Sequence, residues 1–192
     1  MIMGHPDAEL IGRWQKGDAS AFEELVRRWQ QPIARFLMRH VGRTERVSDL
    51  SQEVFLRLFL ARARYREAGV FSTWLYQIAL NVARDAARRR RLPLEPLHDQ
   101  ELPANGTPVG QQCEQDELNQ ALARGLAELP EPLREVLVLR HYEGLNFEEI
   151  SRLLKAPAST LKSRFSAAVQ QLRTRLRDLG WDDLPGKTGR ET

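Results

Sequence analysis

The chain has 192 residues, 42% apolar and 29% charged, with 29 Lys and Arg against 26 Asp and Glu. That length excludes a large catalytic barrel and fits one ordinary domain or two small ones, and the apolar content is too high for general disorder. No run approaches the ~18 apolar residues of a membrane span, no basic start precedes an apolar block as in a secretory signal, and the lone Cys113 excludes an intrachain disulfide, so the expected home is a reducing cytosol without membrane insertion.

The charge is divided into blocks. Residues 1–91 carry 17 basic against ten acidic side chains, residues 92–117 none against six, and residues 118–192 twelve against ten, with seven basic residues and no acid in 150–177. Blocks of this kind mark surfaces that meet polyanions, and nucleic acid is the first candidate.

In chain order, Ser20-Ala-Phe-Glu23 has capping-box spacing, and Phe22, Leu25, Val26, Trp29, Ile33, Phe36 and Leu37 follow one helical face, which Pro32 is expected to kink or divide. Val47, Leu50, Val54 and Leu58, with Phe55 and Phe59, predict a second helix. Leu75, Ile78, Ala79, Val82 and Ala86 predict a third, and three such faces can close one small core. The third helix also has a polar face, Gln77, Asn81, Arg84, Arg88 and Arg91, within a run of four arginines from Arg88 to Arg91. Just before it, Tyr65, Phe71, Trp74 and Tyr76 interleave with Arg62, Arg64 and Arg66. Cations hold phosphates and aromatic faces stack unpaired bases, a composition suited to opened DNA, although Phe71 and Trp74 equally suit core positions at a helix start.

Residues 92–117 contain Pro93, Pro96, Pro103, Pro108 and the Asn105-Gly106 turn pair and read as an acidic linker. Leu118, Leu122, Leu126 and Leu129 mark a helix ended by Pro130, and Pro132 opens another that runs to about His141. Asn146-Phe-Glu-Glu149 then caps a short helix to Leu154, and after Lys155-Ala156-Pro157 a long helix runs to about Asp178, which together predict a helix-turn-helix. At about 100° per residue, Leu161, Phe165, Ala168, Leu172 and Leu176 face the core, and Ser159, Ser163, Ser166, Ala167 and Gln170 face away, flanked by Lys162 and Arg164. Short hydroxyls admit base edges and flanking cations suit the two backbones. An ordinary amphipathic surface helix is the competing reading.

Catalysis finds no support in the residues. His5, His40, His98 and His141 are scattered without metal-ligand spacing, no glycine-rich phosphate loop or nucleophile elbow occurs, and Glu23-Glu24 and Glu148-Glu149 sit at predicted helix starts, where the helix dipole accounts for them. The expectation is a protein with no catalytic residues, no metal and no cofactor. A free-standing regulator using only the helix-turn-helix is a second alternative, opposed by the basic and aromatic helix at 71–91.

The sequence resembles the extracytoplasmic-function class of bacterial sigma factors over most of residues 7–177. The resemblance is carried by Gly17-Asp18 before Ala21-Phe22, by Asp49-Leu-Ser-Gln-Glu-Val-Phe-Leu56, by Phe71-Ser-Thr-Trp-Leu-Tyr-Gln-Ile78 with Asn81 and Asp85, and by Asn146-Phe-Glu-Glu-Ile150 through Pro157, Thr160 and Lys162-Ser163-Arg164. It implies an all-α chain of two small helical domains joined by a flexible acidic linker: a sigma-two domain over 7–91 that binds core RNA polymerase and melts the −10 element, the linker over 92–117, a sigma-four domain over 118–178 that reads the −35 element, and a flexible tail over 179–192 that Trp181 could anchor.

The same resemblance implies roles. The helix from Asp49 to Phe59, with Gln52, Glu53 and Leu56, docks on core polymerase; Tyr65 and its loop, with Asn81, hold a flipped −10 base, Gln77 contacts the same element, and Arg84, Arg88 and Arg91 grip phosphates; and Ser159, Thr160, Lys162, Ser163, Arg164 and Ser166 meet the −35 element. Core polymerase, promoter DNA and an anti-sigma protein are the implied partners, and the linker is expected to lie in the polymerase's basic RNA path. Two departures stand out: Lys155 occupies a turn position where the family commonly has glycine, and Ala167 and Ala168 stand where it commonly has basic residues.

Overall fold

The computed structural model describes residues 7–42, 46–65, 70–91 and 111–181. Among the described residues every regular element is helical. The first, α1 (Ala8–Gln15), lies ahead of the expected elements. It is tied down by Asp7, whose buried carboxylate accepts from Arg28 Nη1 at 2.6 Å and from Trp29 Nε1 at 3.1 Å.

Gly17, with φ of 100°, turns the chain into α2 (Ala19–Val41). The cap of α2 is Asp18 and not Ser20: the Asp18 carboxylate accepts from Ser20 N at 2.9 Å and Ala21 N at 3.3 Å, satisfying two donors that a helix start leaves open. A further hydrogen bond from the Ser20 hydroxyl at 2.7 Å, and then one from Arg13, lower the Asp18 carboxyl to about 2. Pro32 does not divide α2, which is one helix through that residue. Then follow α3 (Arg46–Leu60), a 3₁₀ turn over Arg62–Arg64, and α4 (Phe71–Arg91).

After residues 92–110, α5 (Gln111–Glu128) takes in the last seven residues of the expected linker. The rest of that linker, with its expected place in an RNA path, lies outside the described residues. Next come α6 (Glu131–Leu137), a π-helical stretch over Val138–Tyr142, α7 (Phe147–Leu154) and α8 (Ala158–Asp178). Of the expected tail, residues 179–181 are described: Trp181 is half-buried and its backbone N–H donates to Leu176 O at 2.9 Å.

The core is not two separate cores. Trp14, Leu25, Ile33, Phe36, Leu37, Leu58, Phe71, Leu75 and Leu80 of the first half belong to one apolar cluster with Val136, Leu139, Leu145, Ile150 and Leu161 of the second. A smaller cluster of Leu126, Leu129, Leu137 and Ala168 holds α5, α6 and α8 together. α5 lies close to α8 at Gly125, where a Cβ would stand 2.7 Å from Leu172 Cδ1, the end of a side chain that would have to turn aside.

Candidate nucleic-acid interface

The helix-turn-helix is built as its sequence predicts. Asn146 caps α7 by accepting from Glu149 N at 2.9 Å while the Glu149 carboxylate accepts from Asn146 N at 2.8 Å, a complete capping box. Lys155 ends α7 in the left-handed region (φ 53°, ψ 44°), the conformation that favours glycine there. The turn is held by Ser151 Oγ donating to Ala156 O at 2.7 Å. Phe147 packs edge-on to Phe165 at 6.0 Å, with Ile150, Leu153 and Leu161 buried beneath.

That packing fixes the rotation of α8. Ser159, Lys162, Ser163, Ser166 and Gln170 are exposed, and Thr160 and Arg164 are half-buried at the margin. The Ser163 and Ser166 hydroxyls donate back to Thr160 O (2.9 Å) and Lys162 O (3.2 Å), which leaves their acceptor lone pairs on the outer face. Lys162 Nζ lies 5.9 Å from the Phe147 ring centre, near the edge of cation–π range. All six expected −35 residues therefore share one helix and one margin-to-margin surface.

The other expected surface is assembled differently. On α4, Gln77 and Asn81 are joined by a 3.4 Å hydrogen bond, with Asn81 exposed. The Tyr65 ring lies against Trp74 (4.9 Å) and Phe71 (5.9 Å), so Trp74 is half-buried in an aromatic group and Phe71 is core. Gln15 donates to Tyr65 O at 3.0 Å and fixes that segment to α1. Arg88 is exposed and pairs with Asp85 at 3.0 Å, while Asp85 also takes Arg57 at 3.1 Å. The Arg91 side chain lies outside the described residues.

Arg84 departs from the expectation of a cation open to phosphate. Its Nε and Nη2 donate to the two oxygens of Glu135 at 2.7 and 2.8 Å, a bidentate pair with a carboxylate only 5% exposed. Those hydrogen bonds raise the Arg84 pKa further. Glu135 and a second carboxylate, Glu143, are the site residues that sequence reasoning missed. Glu143 accepts from Tyr76 Oη and pairs with Arg39 at 3.3 Å, and burial pushes its carboxyl upward. Arg39 also stands over the Tyr142 ring at 4.1 Å. Nearby His40 is buried, its Nδ1 at 2.9 Å from Phe36 O, and burial lowers its imidazole to about 4, helped by the charges of Arg134, Arg84 and Arg39.

The π stretch explains why both carboxylates reach the first half. Eight steps of α-helix would leave residues 135 and 143 about 80° apart, and the wider turn of residues 138–142 takes rotation out, bringing Glu143 toward the side of Glu135. No periodicity in the sequence announces such a turn.

The expected polymerase-docking helix, α3, has two faces. Val47, Val54 and Leu58 are buried, while Leu56 (54%), Phe59 (47%) and Leu60 (72%) are exposed together with Asp49 and Gln52. Glu53 is held by Arg57 at 2.7 Å. Three exposed large apolar side chains within five residues form a patch suited to another protein. Among the described residues no helix is long and apolar enough to cross a membrane.

Comparison with known proteins gives these surfaces a context. Residues 25–92 match the family model for sigma-70 region 2, and residues 119–172 match that for sigma-70 region 4. The RNA polymerase sigma-H factor of Pseudomonas aeruginosa is 32% identical over 190 residues, spanning 93% of this chain and 98% of that protein. The ECF RNA polymerase sigma-E factor of Escherichia coli K12 is 33% identical over 184 residues, spanning 90% and 95%. In fold, the chain resembles CnrH, solved in complex with the cytosolic domain of CnrY (TM-score 0.66, 22% identity, 92% of this chain and 99% of that one). It also resembles RpoE of Bartonella quintana, solved with the anti-sigma factor NepR (TM-score 0.63, 18% identity, 81% and 96%).

Proposed function

The chain belongs to the extracytoplasmic-function class of the sigma-70 family, proteins that bind core RNA polymerase and direct promoter-specific initiation, and from that premise we propose how its residues divide the work. Residues 7–91 form the unit that binds core polymerase and opens the −10 element, residues 118–178 the unit that reads the −35 element, and the chain between them a tether. The exposed Leu56 and Phe59, with Asp49, Gln52 and Glu53 beside them, meet the polymerase. Their apolar area is worth burying against a partner and costly to leave in water.

At the −35 element Ser159, Thr160, Ser163 and Ser166 approach base edges while Lys162 and Arg164 take phosphates, because only base edges carry sequence information. At the −10 element Tyr65, Gln77 and Asn81 hold a base that has left the stack, and Arg84, Arg88 and Arg91 neutralise the strand beside it. The chain is no enzyme in this reading: phosphodiester chemistry belongs to the polymerase. The setting is the bacterial cytoplasm, and an anti-sigma protein is its natural restraint, as the partner of the Bartonella RpoE suggests.

The observation that carries this reading is the outer face of α8, with hydroxyls at its centre, cations at its margins and no acid in residues 150–177. Permanganate footprinting with core polymerase tests the −10 assignment. Tyr65→Ala and Asn81→Ala should slow promoter opening while closed-complex formation persists, and normal opening by both variants would remove the base-capture role.

A further inference from the structure

The helix α1 lies ahead of residues 25–92 that match sigma-70 region 2, yet it reaches the residue expected to capture a base. Gln15, at the end of α1, donates from Nε2 to Tyr65 O at 3.0 Å, a part-buried hydrogen bond between residues 50 positions apart. Tyr65 stands where the 3₁₀ turn over Arg62–Arg64 gives way to extended backbone, with φ of −68° and ψ of 125°. Its ring is fixed separately, 4.9 Å from that of Trp74 and 5.9 Å from that of Phe71.

The helix that carries Gln15 is itself anchored at both ends. Near its C-terminal end, Trp14 is buried and stacks on Phe22 of α2 at 5.2 Å. Just ahead of its first residue, Asp7 accepts from Trp29 Nε1 at 3.1 Å, and the Trp29 ring lies edge-on to Phe71 at 6.0 Å. One end of α1 therefore reaches the Tyr65 carbonyl through Gln15. The other reaches Phe71, against which the Tyr65 ring packs, through Asp7 and Trp29.

An extended residue leaves its carbonyl out of any helical ladder, and here Gln15 supplies the donor. A pocket for an unstacked base binds best when its walls are ordered before the base arrives, since ordering them afterwards costs conformational entropy. We propose that Gln15 is a positioning residue for base capture at the −10 element: by holding the Tyr65 carbonyl, it fixes the wall of the pocket before the DNA opens. This rests on the reading of Tyr65 as a base contact. Gln15 acts through Tyr65 and needs no contact with DNA itself.

The test uses the full chain assembled with core polymerase, on a promoter recovered from a randomised library. Gln15→Met keeps the side-chain length and the helix propensity but removes the donor, whereas Gln15→Lys keeps a donor at similar reach. Followed by permanganate reactivity, Gln15→Met should slow promoter opening about fivefold, the effect of losing one neutral hydrogen bond. Its affinities for core polymerase and for the closed promoter should stay at the wild-type values. Gln15→Lys should open the promoter at close to the wild-type rate, and in a Tyr65→Ala background Gln15→Met should slow opening no further.

Opening at the wild-type rate by Gln15→Met, equal slowing by the Met and Lys variants, or an undiminished effect in the Tyr65→Ala background overturns the proposal. Circular dichroism of both variants keeps a folding defect in view: loss of helix by Gln15→Met, or opening rates that track the melting temperature in both, assigns Gln15 to the fold and overturns the proposal as well. The underlying reading fails differently. Normal opening by Tyr65→Ala refutes base capture itself, whereas slow opening by Tyr65→Ala beside normal opening by Gln15→Met refutes the positioning alone.

Discussion

On α8, Lys162 and Arg164 flank exposed serines in a stretch of chain with no acid, whereas on α4 Arg84 and Arg88 each hold a carboxylate. Both helices were expected from sequence to meet DNA, and both carry cations at helical spacing. The difference lies in what packs beside them. The inward face of α8 is a stripe of Leu161, Ala168 and Leu176, Leu161 in the apolar cluster that both halves share and Ala168 in the smaller cluster of the second half, and its outward side, with Ser159, Lys162, Ser163 and Ser166, is left exposed. The face of α4 is bounded by the second half, whose Glu135 reaches across to Arg84. A local pattern therefore describes a surface well only where no side chain distant in sequence reaches it.

Several substitutions sharpen or break this contrast, the largest at the covered face. His40 is enclosed there with its imidazole lowered to about 4, against an ordinary 6.5. A histidine whose pKa is depressed by folding is neutral in the folded chain and protonated in the open or unfolded one, so stability present above about pH 6.5 is lost as pH falls toward 4. The expected loss is about 2 kcal/mol between neutral pH and about pH 5. Glu143, raised by burial, works in the opposite sense, so the comparison to make is urea unfolding of wild type and His40→Leu across that range. The variant should show a flatter profile; an identical slope would mean His40 is not enclosed.

Next in size, Arg88→Ala with Arg91→Ala should lower the logarithmic salt slope of holoenzyme binding by about 1.8, or roughly tenfold in affinity across a fourfold salt range. Salt titration of promoter binding measures it. An unchanged slope would make these arginines a solvated face, despite the exposure of Arg88.

On α8, Ser163→Ala should change preference at one −35 position by about 1 kcal/mol with little loss of nonspecific affinity, and Lys162→Ala should weaken all sequences alike. Selection from randomised −35 DNA separates the two. Equal relaxation by both would place the face of α8 elsewhere.

The smallest effect is expected at the turn. Lys155 is exposed and left-handed, a conformation that costs a side chain about 1 kcal/mol and glycine almost nothing. Lys155→Gly should therefore raise the melting temperature by a few degrees, and no rise would locate the strain elsewhere.

How legible the molecule was follows the same division. The second half was readable almost residue by residue: the capping box at Asn146, the turn at Lys155 and the end at Asp178 are all local chemistry, and the structure keeps them. The cap of α2 was misplaced because Asp18 and Ser20 are both good capping residues, and the choice between them depends on Gly17 turning the chain and Arg13 pairing with Asp18. Pro32 carried a real cost that the packing of Ile33, Phe36 and Leu37 offsets. Arg84 was legible as a basic residue on the right face and illegible as a partner of Glu135, since no local rule connects them across the linker. The π stretch that swings Glu143 into reach leaves no periodic trace in the sequence.

In the proposed function the two halves read two separate promoter elements on behalf of one polymerase. Mapping transcript starts made by core polymerase with the purified chain on a library varied at both elements tests it most directly. Starts are expected at a fixed distance from two spaced elements, with Ser163→Ala relaxing preference only at the upstream element and Asn81→Ala only at the downstream one. Starts no different from those of core polymerase alone, or both substitutions altering the same element, would contradict it.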